Sequence, residues 1–460
     1  MAASSGTWAE IRATGRLGRF VLLCLAVWLH AADSLVTATA VPAIVADIGG
    51  VPYVAWSIAL YQIGAIVAGA ATALLCRRHG TERVLRAAAL VYALGCVLAA
   101  LAPNMALFLA ARLLQGLGGG TMLALGYVAI QQWFAEHLWG RLFGAQALVW
   151  AVGSLLGPLL GGGFVAMGFW RGIFWAFALQ AALLWLLTAG LAGRPEGGAA
   201  GRLPLCRTAL LAVAALMIAQ AGVTGSVAGA AALAAAGTAL LYLAAHLDQR
   251  AAERMLPAGL LQVRRPLGAG LFAVFALSAG TTGFWAYGPL LLETLFGITP
   301  LVSGYLLAGE ALAWSAATMA IAATPLSAGP RLIRLGTTMV VTGAAALALA
   351  VPAGSLPGIV ACLLLQGAGM GLCWPAIVQR SVRCADATEG TLAAAAPGTV
   401  QRIGFAVGAA ATGIAANLAG LGDGVSPEAA RAAGFWVFAA FIPLLALALA
   451  AAWRFTAEER

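Results

Sequence analysis

Gly153-Ser154-Leu155-Leu156-Gly157-Pro158-Leu159-Leu160-Gly161-Gly162 lies within an apolar run from 141 to 167. Small residues four apart leave a flat stripe on a helix, along which another helix can approach closely. Pro158 removes a backbone hydrogen bond and bends the helix inside that stripe. Helix packing alone would account for the GxxxG spacing, so its meaning depends on the rest of the chain. The run is long and does not alternate, which selects a spanning helix over a barrel strand.

Comparable runs occur at 20–46, 53–75, 84–102, 105–132, 170–192, 204–222, 225–246, 267–292, 299–323, 332–352, 356–379, 390–418 and 432–455. An all-α membrane protein of fourteen spans is therefore expected. Composition agrees: of 460 residues 62% are hydrophobic and only 9% charged, with mean hydropathy +0.96. A water-soluble domain carries about a quarter charged residues. Within lipid every backbone polar group must be satisfied internally, which leaves helices or closed barrels.

All 25 basic residues are Arg, and the net charge is +9. Arg112 and Arg402 fall within spans, and Arg171 and Arg431 in loops on one side. The rest lie at the termini or in loops on the other side, so both termini are expected in the cytosol. That asymmetry explains the basic charge without nucleic acid. Arg12, Arg16 and Arg19 precede a run too long for a signal-peptide core, so it reads as an uncleaved first span. The seven Cys show no CxxC spacing, and His30, His79, His137 and His246 are scattered, so neither disulfides nor a metal site is expected. No GxxxxGK[ST] or HExxH string argues for ATP hydrolysis or metal-dependent catalysis.

The loops 193–202 and 248–266 are longer and more polar than the others; the second carries Arg250, Glu253, Arg254, Arg264 and Arg265. Between them lie two Ala-rich spans. The chain thus divides into a six-helix bundle at 1–193, inserted loops and two helices at 194–265, and a second six-helix bundle at 266–460. Leu113-Leu114-Gln115-Gly116-Leu117-Gly118 recurs as Leu364-Leu365-Gln366-Gly367-Ala368-Gly369, and Ala151-Val152-Gly153 as Ala406-Val407-Gly408. Parallel repeats of this kind are a transporter architecture, with the substrate site between the halves.

Few polar side chains lie deep. Asp33 stands 14 residues beyond Arg19, roughly 20 Å along a helix. Arg112, in the fourth span, costs at least about 2.5–3.5 kcal/mol to insert and needs a partner or water. Its counterpart in the repeat is Leu363. Glu310, beside Trp314, is the one acid deep in the C-terminal half; it either carries a proton or ligand, or neutralises a neighbouring Arg. Arg402 either faces the interior or snorkels to the surface. Glu293 reads as an interfacial charge. Gln115, Gln146, Trp150, Trp285, Tyr287, Trp314 and Gln366 are candidates to line a cavity.

These motifs resemble the major facilitator superfamily, specifically its fourteen-span drug:proton antiporter family, over nearly the whole chain. Residues 153–162 match the family's antiporter motif at Gly153, Gly157, Pro158, Gly161 and Gly162. Arg112 with Gln115, Gly116 and Gly118 matches the fourth-span motif, whose Arg is associated with proton coupling. The first-span motif is met at Asp33, Ala40 and Pro42, whereas Leu35 and Ala38 stand where Thr and Asn are usual. Phe169-Trp170-Arg171 with Phe174 resembles the start of the sixth span, and the two inserted spans with Met255-Leu256-Pro257 also fit.

One departure is marked. The loop after the second span should read Gly-x-Leu-x-Asp-Arg-x-Gly-Arg-Arg/Lys, but here reads Ala73-Leu74-Leu75-Cys76-Arg77-Arg78-His79-Gly80-Thr81-Glu82. The Asp that latches the family's cytosolic gate is Arg77, so any latch must use other groups, Glu82, Arg83 or Arg86 among them.

The resemblance implies proton-coupled export of a small organic molecule by alternating access, without a cofactor. It also implies a monomer in the plasma (inner) membrane of a bacterium. Asp33, Arg112 and Glu310 are the proton-coupling candidates. Transport of an anionic metabolite bound by Arg112 and Arg402 is the alternative. An enzyme is not expected, for no nucleophile, base or metal cluster is visible.

Overall fold

The computed structural model describes residues 8–13, 15–191, 205–224, 226–251, 254–321, 324, 326–386 and 389–457. The 193–202 connection and Glu253 lie outside them. The described residues form helices and no strand. A short α1 (Trp8–Ala13) precedes α2 (Leu17–Ile48), α3 (Val54–His79), α4 (Thr81–Ala100), α5 (Met105–Trp133), α6 (Glu136–Ala166) and α7 (Arg171–Leu187). Then come α8 (Leu205–Gly222) and α9 (Val227–Arg250). The remainder comprises α10 (Pro266–Gly280), α11 (Thr282–Phe296), α12 (Pro300–Ala320), α13 (Gly329–Ala350), α14 (Leu356–Cys384), α15 (Gly390–Leu418), α16 (Pro427–Ala439) and α17 (Ile442–Phe455).

Helix ends follow local chemistry. Asn104, Ser226, Ser355 and Ser426 each accept a bond from a backbone N–H in the first turn of the helix that follows. Gly80, at φ 85°, turns the chain between α3 and α4, a conformation that only glycine adopts readily.

Among the described residues nine helical segments are long and apolar enough to cross a membrane, or ten if α2 counts as one bent span. The paired helices α10–α11 and α16–α17 each count as a single segment. Helices α7 and α8 are apolar but shorter. Helices α12 and α15 carry Glu310 and Arg402 and are not among the nine. For these four helices, spanning rests on the sequence.

Helices α2 to α7 pack together, α10 to α17 pack together, and α8 and α9 pair with each other. The two large groups meet where α6 runs along α12 and α3 along α15. At the end of the bundle where α2 terminates, one apolar cluster joins both groups: Val41, Val54 and Ala55 pack with Phe284, Leu291 and Ala416.

The repeated Gln-Gly string repeats its packing too. A Cβ on Gly116 would lie 2.1 Å from the Tyr61 carbonyl oxygen of α3, and one on Gly367 would lie 2.0 Å from that of Glu310 in α12. One turn on, Gly120 sits against Ala65 and Gly371 against Trp314. Tyr61 and Glu310 are therefore structural counterparts. The first helix of each group also breaks at an equivalent place: α2 bends by 45° between Asp33 and Val36, and α10 gives way to α11 at Thr281.

Adding a methyl group at these contacts forces backbones apart, an overpacking that costs about 1–3 kcal/mol. Gly116→Ala and Gly367→Ala should each lower the unfolding free energy of the purified protein by about that amount. Gly144→Ala, where a Cβ meets nothing within 4 Å, should be neutral or slightly stabilising. Equal effects at all three positions would refute the close-approach argument.

Candidate functional site

Arg112 and Asp33 form an ion pair inside the first helix group. Arg112 Nη1 donates to Asp33 Oδ1 at 3.0 Å and Oδ2 at 2.9 Å, and to Gln115 Oε1 at 2.7 Å. Asp33 is 0% exposed and Arg112 2%, so the pair is sealed. Thr37, one turn along α2, donates to Asp33 Oδ1 at 3.0 Å. Gln115 Nε2 donates to Cys96 Sγ at 3.1 Å. Charges this deep persist only where their hydrogen-bonding capacity is met. Beneath Arg112, at 4.4 Å from its guanidinium carbon, lies the ring of Tyr61, which adds cation–π attraction. The Tyr61 hydroxyl is hydrogen-bonded to His30 Nδ1 at 2.8 Å, and the two rings stack at 5.6 Å. Trp150 of α6 meets His30 edge-on at 6.0 Å.

Arg402 reaches this cluster from α15. It lies within electrostatic range of His30, Tyr61 and Tyr127 and forms no ion pair among the described residues. Glu310 stands apart in the second group, 8% exposed. Its Oε2 accepts the indole N–H of Trp285 at 3.0 Å, and it too has no ion pair among the described residues. Trp314, a turn further, tilts against Trp374 at 6.0 Å.

Other candidates are placed differently. Gln146 packs on Gly126, donating weakly to its carbonyl at 3.4 Å. Gln366 is buried on α14 with its Nε2 lacking a partner among the described residues. Tyr287 belongs to the apolar cluster that joins the two groups, not to either charged centre. Glu293 lies in the last turn of α11.

The 153–162 stripe forms part of the junction between the groups. Gly161 sits against Thr39 and the Val36 carbonyl, and a Cβ on Gly162 would lie 2.7 Å from Leu301 Cα in α12. From the opposite side, Gly304 of α12 fits against Thr39 and Pro158, where a Cβ would approach to 2.2 and 2.7 Å. Gly157 and Pro158 are buried, while Leu155, Leu156, Leu159 and Leu160 are exposed on the other face. The stripe is thus one wall of an interlocked seam.

The expected loop at 73–82 is a single residue, Gly80: Arg77 and Arg78 lie in the last turn of α3 and Arg83 in the first turn of α4, and all three are exposed. Glu82 pairs with Arg19 of α2 at 3.2 Å, and Arg86 lies 4.9 Å over Trp185 of α7. Both contacts stay within the first helix group, so neither ties the two groups together.

His30, Tyr61, Thr37, Thr39 and Gly304 were not singled out as site residues from the sequence. For His30 a signal existed, since it precedes Asp33 by three residues and so shares its helix face. Tyr61 and Gly304 have no local signature; only the folded register brings them to the site.

A family model described as Major Facilitator Superfamily matches residues 23–328. A probable multidrug-efflux transporter of Mycobacterium tuberculosis is 29% identical over 480 residues, covering 100% of this chain and 98% of that one. A transporter of the Acurin A biosynthesis cluster of Aspergillus aculeatus is 30% identical over 156 residues, or 34% of this chain and 28% of its own. Among solved structures, a D-xylose–proton symporter superposes with TM-score 0.63 at 18% identity, covering 93% of this chain and 97% of that one. A peptide transporter in complex with sulfate gives 0.66 at 17%, covering 95% and 94%. These structural likenesses concern the fold.

Breaking a buried pair by removing one partner strands the other charge, at about 3–5 kcal/mol. Arg112→Leu should destabilise the protein by about that much, and adding Asp33→Asn to it should recover a large part. If the double variant is as unstable as the sum of both singles, the pair is not coupled as drawn.

Proposed function

The chain belongs to the major facilitator superfamily and is a secondary transporter, not an enzyme, and on that premise we propose that it expels a small organic molecule in exchange for protons by alternating access. The observation that carries this reading is a sealed Arg112–Asp33 pair in one helix group together with a buried Glu310 that has no ion pair among the described residues in the other. While Arg112 holds both oxygens of Asp33, that carboxylate is unavailable. A proton on Asp33 removes the charge that Arg112 binds, and the guanidinium is then free to move. Glu310, fixed by Trp285, is the carboxylate at which a cationic or polar substrate competes with a second proton. Protons entering down their gradient displace the substrate outward without ATP. Full-length similarity to a probable multidrug-efflux transporter supports the outward direction.

One observation favours a second reading. Arg402 carries a charge with no ion pair among the described residues and lies beside His30, Tyr61 and Tyr127. An anionic metabolite would find its counter-charge there.

We also infer fourteen spans, arranged six, two and six, in a monomer of the bacterial inner membrane with both termini in the cytosol. The arginine asymmetry supports the orientation. Of the pair α8–α9, α8 lies along the seam between α3 and α15 while α9 packs on α8, and the pair is fastened at both ends. At one end Trp56 donates to the Ala219 carbonyl at 3.0 Å, and Asn417 Nδ2 donates to the carbonyls of Pro52 at 2.9 Å and Gly222 at 3.0 Å. At the other, Asp248 pairs with Arg207 and accepts from the amides of Met255 and Leu256. Glu389, at the start of α15, holds Arg254 and the Ala258 amide. The inserted helices thus act as a strut that clasps the two halves while that end of the seam is shut.

In proteoliposomes an inward proton gradient should drive export of the aromatic cation ethidium. Asp33→Asn should lower gradient-driven export at least about tenfold. Export indifferent to the gradient, with Asp33→Asn fully active, would sink the exchange mechanism. Transport of an aromatic carboxylate that is lost in Arg402→Gln but kept in Glu310→Gln would select the anion reading instead.

For the strut, each hydrogen bond contributes about 1 kcal/mol, or roughly fivefold in an opening equilibrium. Trp56→Phe and Asn417→Ala should each raise labelling of an Ala55→Cys reporter about that much. Unchanged labelling in both would remove the strut role.

A further inference from the structure

Arg83-Val84-Leu85-Arg86 in the first turns of α4 recurs as Arg331-Leu332-Ile333-Arg334 in those of α13. Trp185-Leu186-Leu187-Thr188 at the end of α7 likewise recurs as Trp453-Arg454-Phe455-Thr456 at the end of α17. The packing repeats with the sequence. Gly95 of α4 lies against Gln115, and Gly343 of α13 lies against Gln366; Arg86 and Arg334 each stand nine residues before that glycine. In each half the guanidinium covers the indole, Arg86 at 4.9 Å from the centre of Trp185 and Arg334 at 4.6 Å from that of Trp453. Each threonine hydroxyl bonds back to its own helix, Thr188 to the carbonyls of Leu184 and Trp185, Thr456 to those of Ala452 and Trp453.

The halves differ in what the edge of the arginine meets. Arg334 Nε donates to Thr456 Oγ1 at 2.7 Å, and its Nη2 donates to the Thr456 carbonyl at 3.2 Å. Arg86 has no ion pair among the described residues, and its Nε is buried without a partner. Glu82, one turn earlier on α4, is already held by Arg19. Arg83 shares the face of Arg86; it is exposed and also has no ion pair among the described residues. Helix α4 is long and apolar enough to span, and Arg86 stands roughly 8 Å from its start. Two unneutralised arginines therefore sit at the border of the bilayer. Deeper in, Leu90 and Leu94 of α4 and Leu179 and Leu183 of α7 are exposed, so an apolar surface continues inward from the positive charge.

We propose that Arg83, Arg86 and Trp185 form a binding site for one anionic phospholipid of the surrounding bilayer. A guanidinium stacked by its face on an indole keeps its N–H edge for a ligand, and that edge matches two phosphate oxygens at once. Arg86 takes the phosphate, Arg83 adds the second positive charge, and the acyl chains lie along the exposed leucines of α4 and α7. Basic pockets between helices at this depth favour anionic headgroups. A phosphatidylcholine headgroup brings its own ammonium and gains less from a second arginine. The equivalent place in the other half is closed, because Thr456 already occupies the edge of Arg334. One lipid, bound to the first helix group, is the expected stoichiometry. The site shares no residue with the Arg112–Asp33 pair or with Glu310, so it stands or falls apart from the exchange mechanism.

Native mass spectrometry of the full chain in detergent, titrated with phosphatidylglycerol, reads the affinity of the first bound lipid directly. Arg86→Gln should weaken it about tenfold, the loss expected for hydrogen bonds to a charged group. Trp185→Leu, which keeps an apolar side chain but removes the stacking face, should weaken it about three- to fivefold. Arg83→Gln should weaken it as well; that position is exposed, so this variant decides the matter if Arg86→Gln fails to fold. Arg334→Gln should leave the affinity unchanged. Undiminished binding in both Arg83→Gln and Arg86→Gln overturns the proposal, and so does a loss in Arg334→Gln equal to that in Arg86→Gln. Phosphatidylcholine bound as tightly as phosphatidylglycerol, with the same dependence on Arg86, overturns the preference for an anionic headgroup. Displacement of the lipid by an equal concentration of inorganic phosphate overturns the lipid as occupant.

Discussion

Close contact between a glycine and a carbonyl of the neighbouring helix, made at equivalent places in each half, sets the geometry on which the interior depends. In hydrocarbon, helices gain little from burying apolar side chains against each other, so close backbone approach and polar bonds carry their association. Gly116 draws α5 onto α3 at Tyr61, and Gly367 draws α14 onto α12 at Glu310. With α5 this near α3, the Arg112 guanidinium lies over the Tyr61 ring and reaches Asp33. The same approach in the other half leaves Glu310 beside Trp285.

The repeat is thus exact in backbone packing and unlike in charge. Where one half has Tyr61 next to an arginine, the other has Glu310 opposite Leu363, the counterpart of Arg112. One half satisfies its charges internally, and the other leaves a carboxylate with a single indole donor among the described residues. A carboxylate already paired resists a ligand, and a lone one invites a proton or a cation. On the exchange mechanism proposed above, the two halves would divide the work along that difference at one packing site.

Much of this was legible in the sequence because lipid enforces simple rules. Apolar runs near twenty residues long gave helices whose ends lie close to those observed, and the cost of an interior Arg pointed to a partner for Arg112. The Gln-Gly repeat was visible at 115–116 and 366–367 because close packing tolerates only glycine. Interior charge dilutes hydrophobicity in α12 with Glu310 and α15 with Arg402, and neither helix is among the segments apolar enough to span. Partners from distant helices were not legible: Gly304 fits against Pro158, and Tyr61 against Arg112, across separations that no local pattern encodes.

The seam between the halves extends the same argument to motion. On one side Gly162 and Gly304 interlock α6 with α12 through apolar contacts with Leu301 and Pro158. On the other, α3 and α15 are joined by hydrogen bonds that run through α8 and Asn417. Glycine contacts separate without stranding a polar group, whereas the Asn417 and Trp56 bonds leave donors unsatisfied when broken in a dry seam, at about 1–3 kcal/mol each. Opening is therefore cheaper along the glycine side, and the inserted helices make the seam asymmetric. A rocking motion hinged near α3 and α15, widest at α6 and α12, is the movement that this distribution of bonds favours.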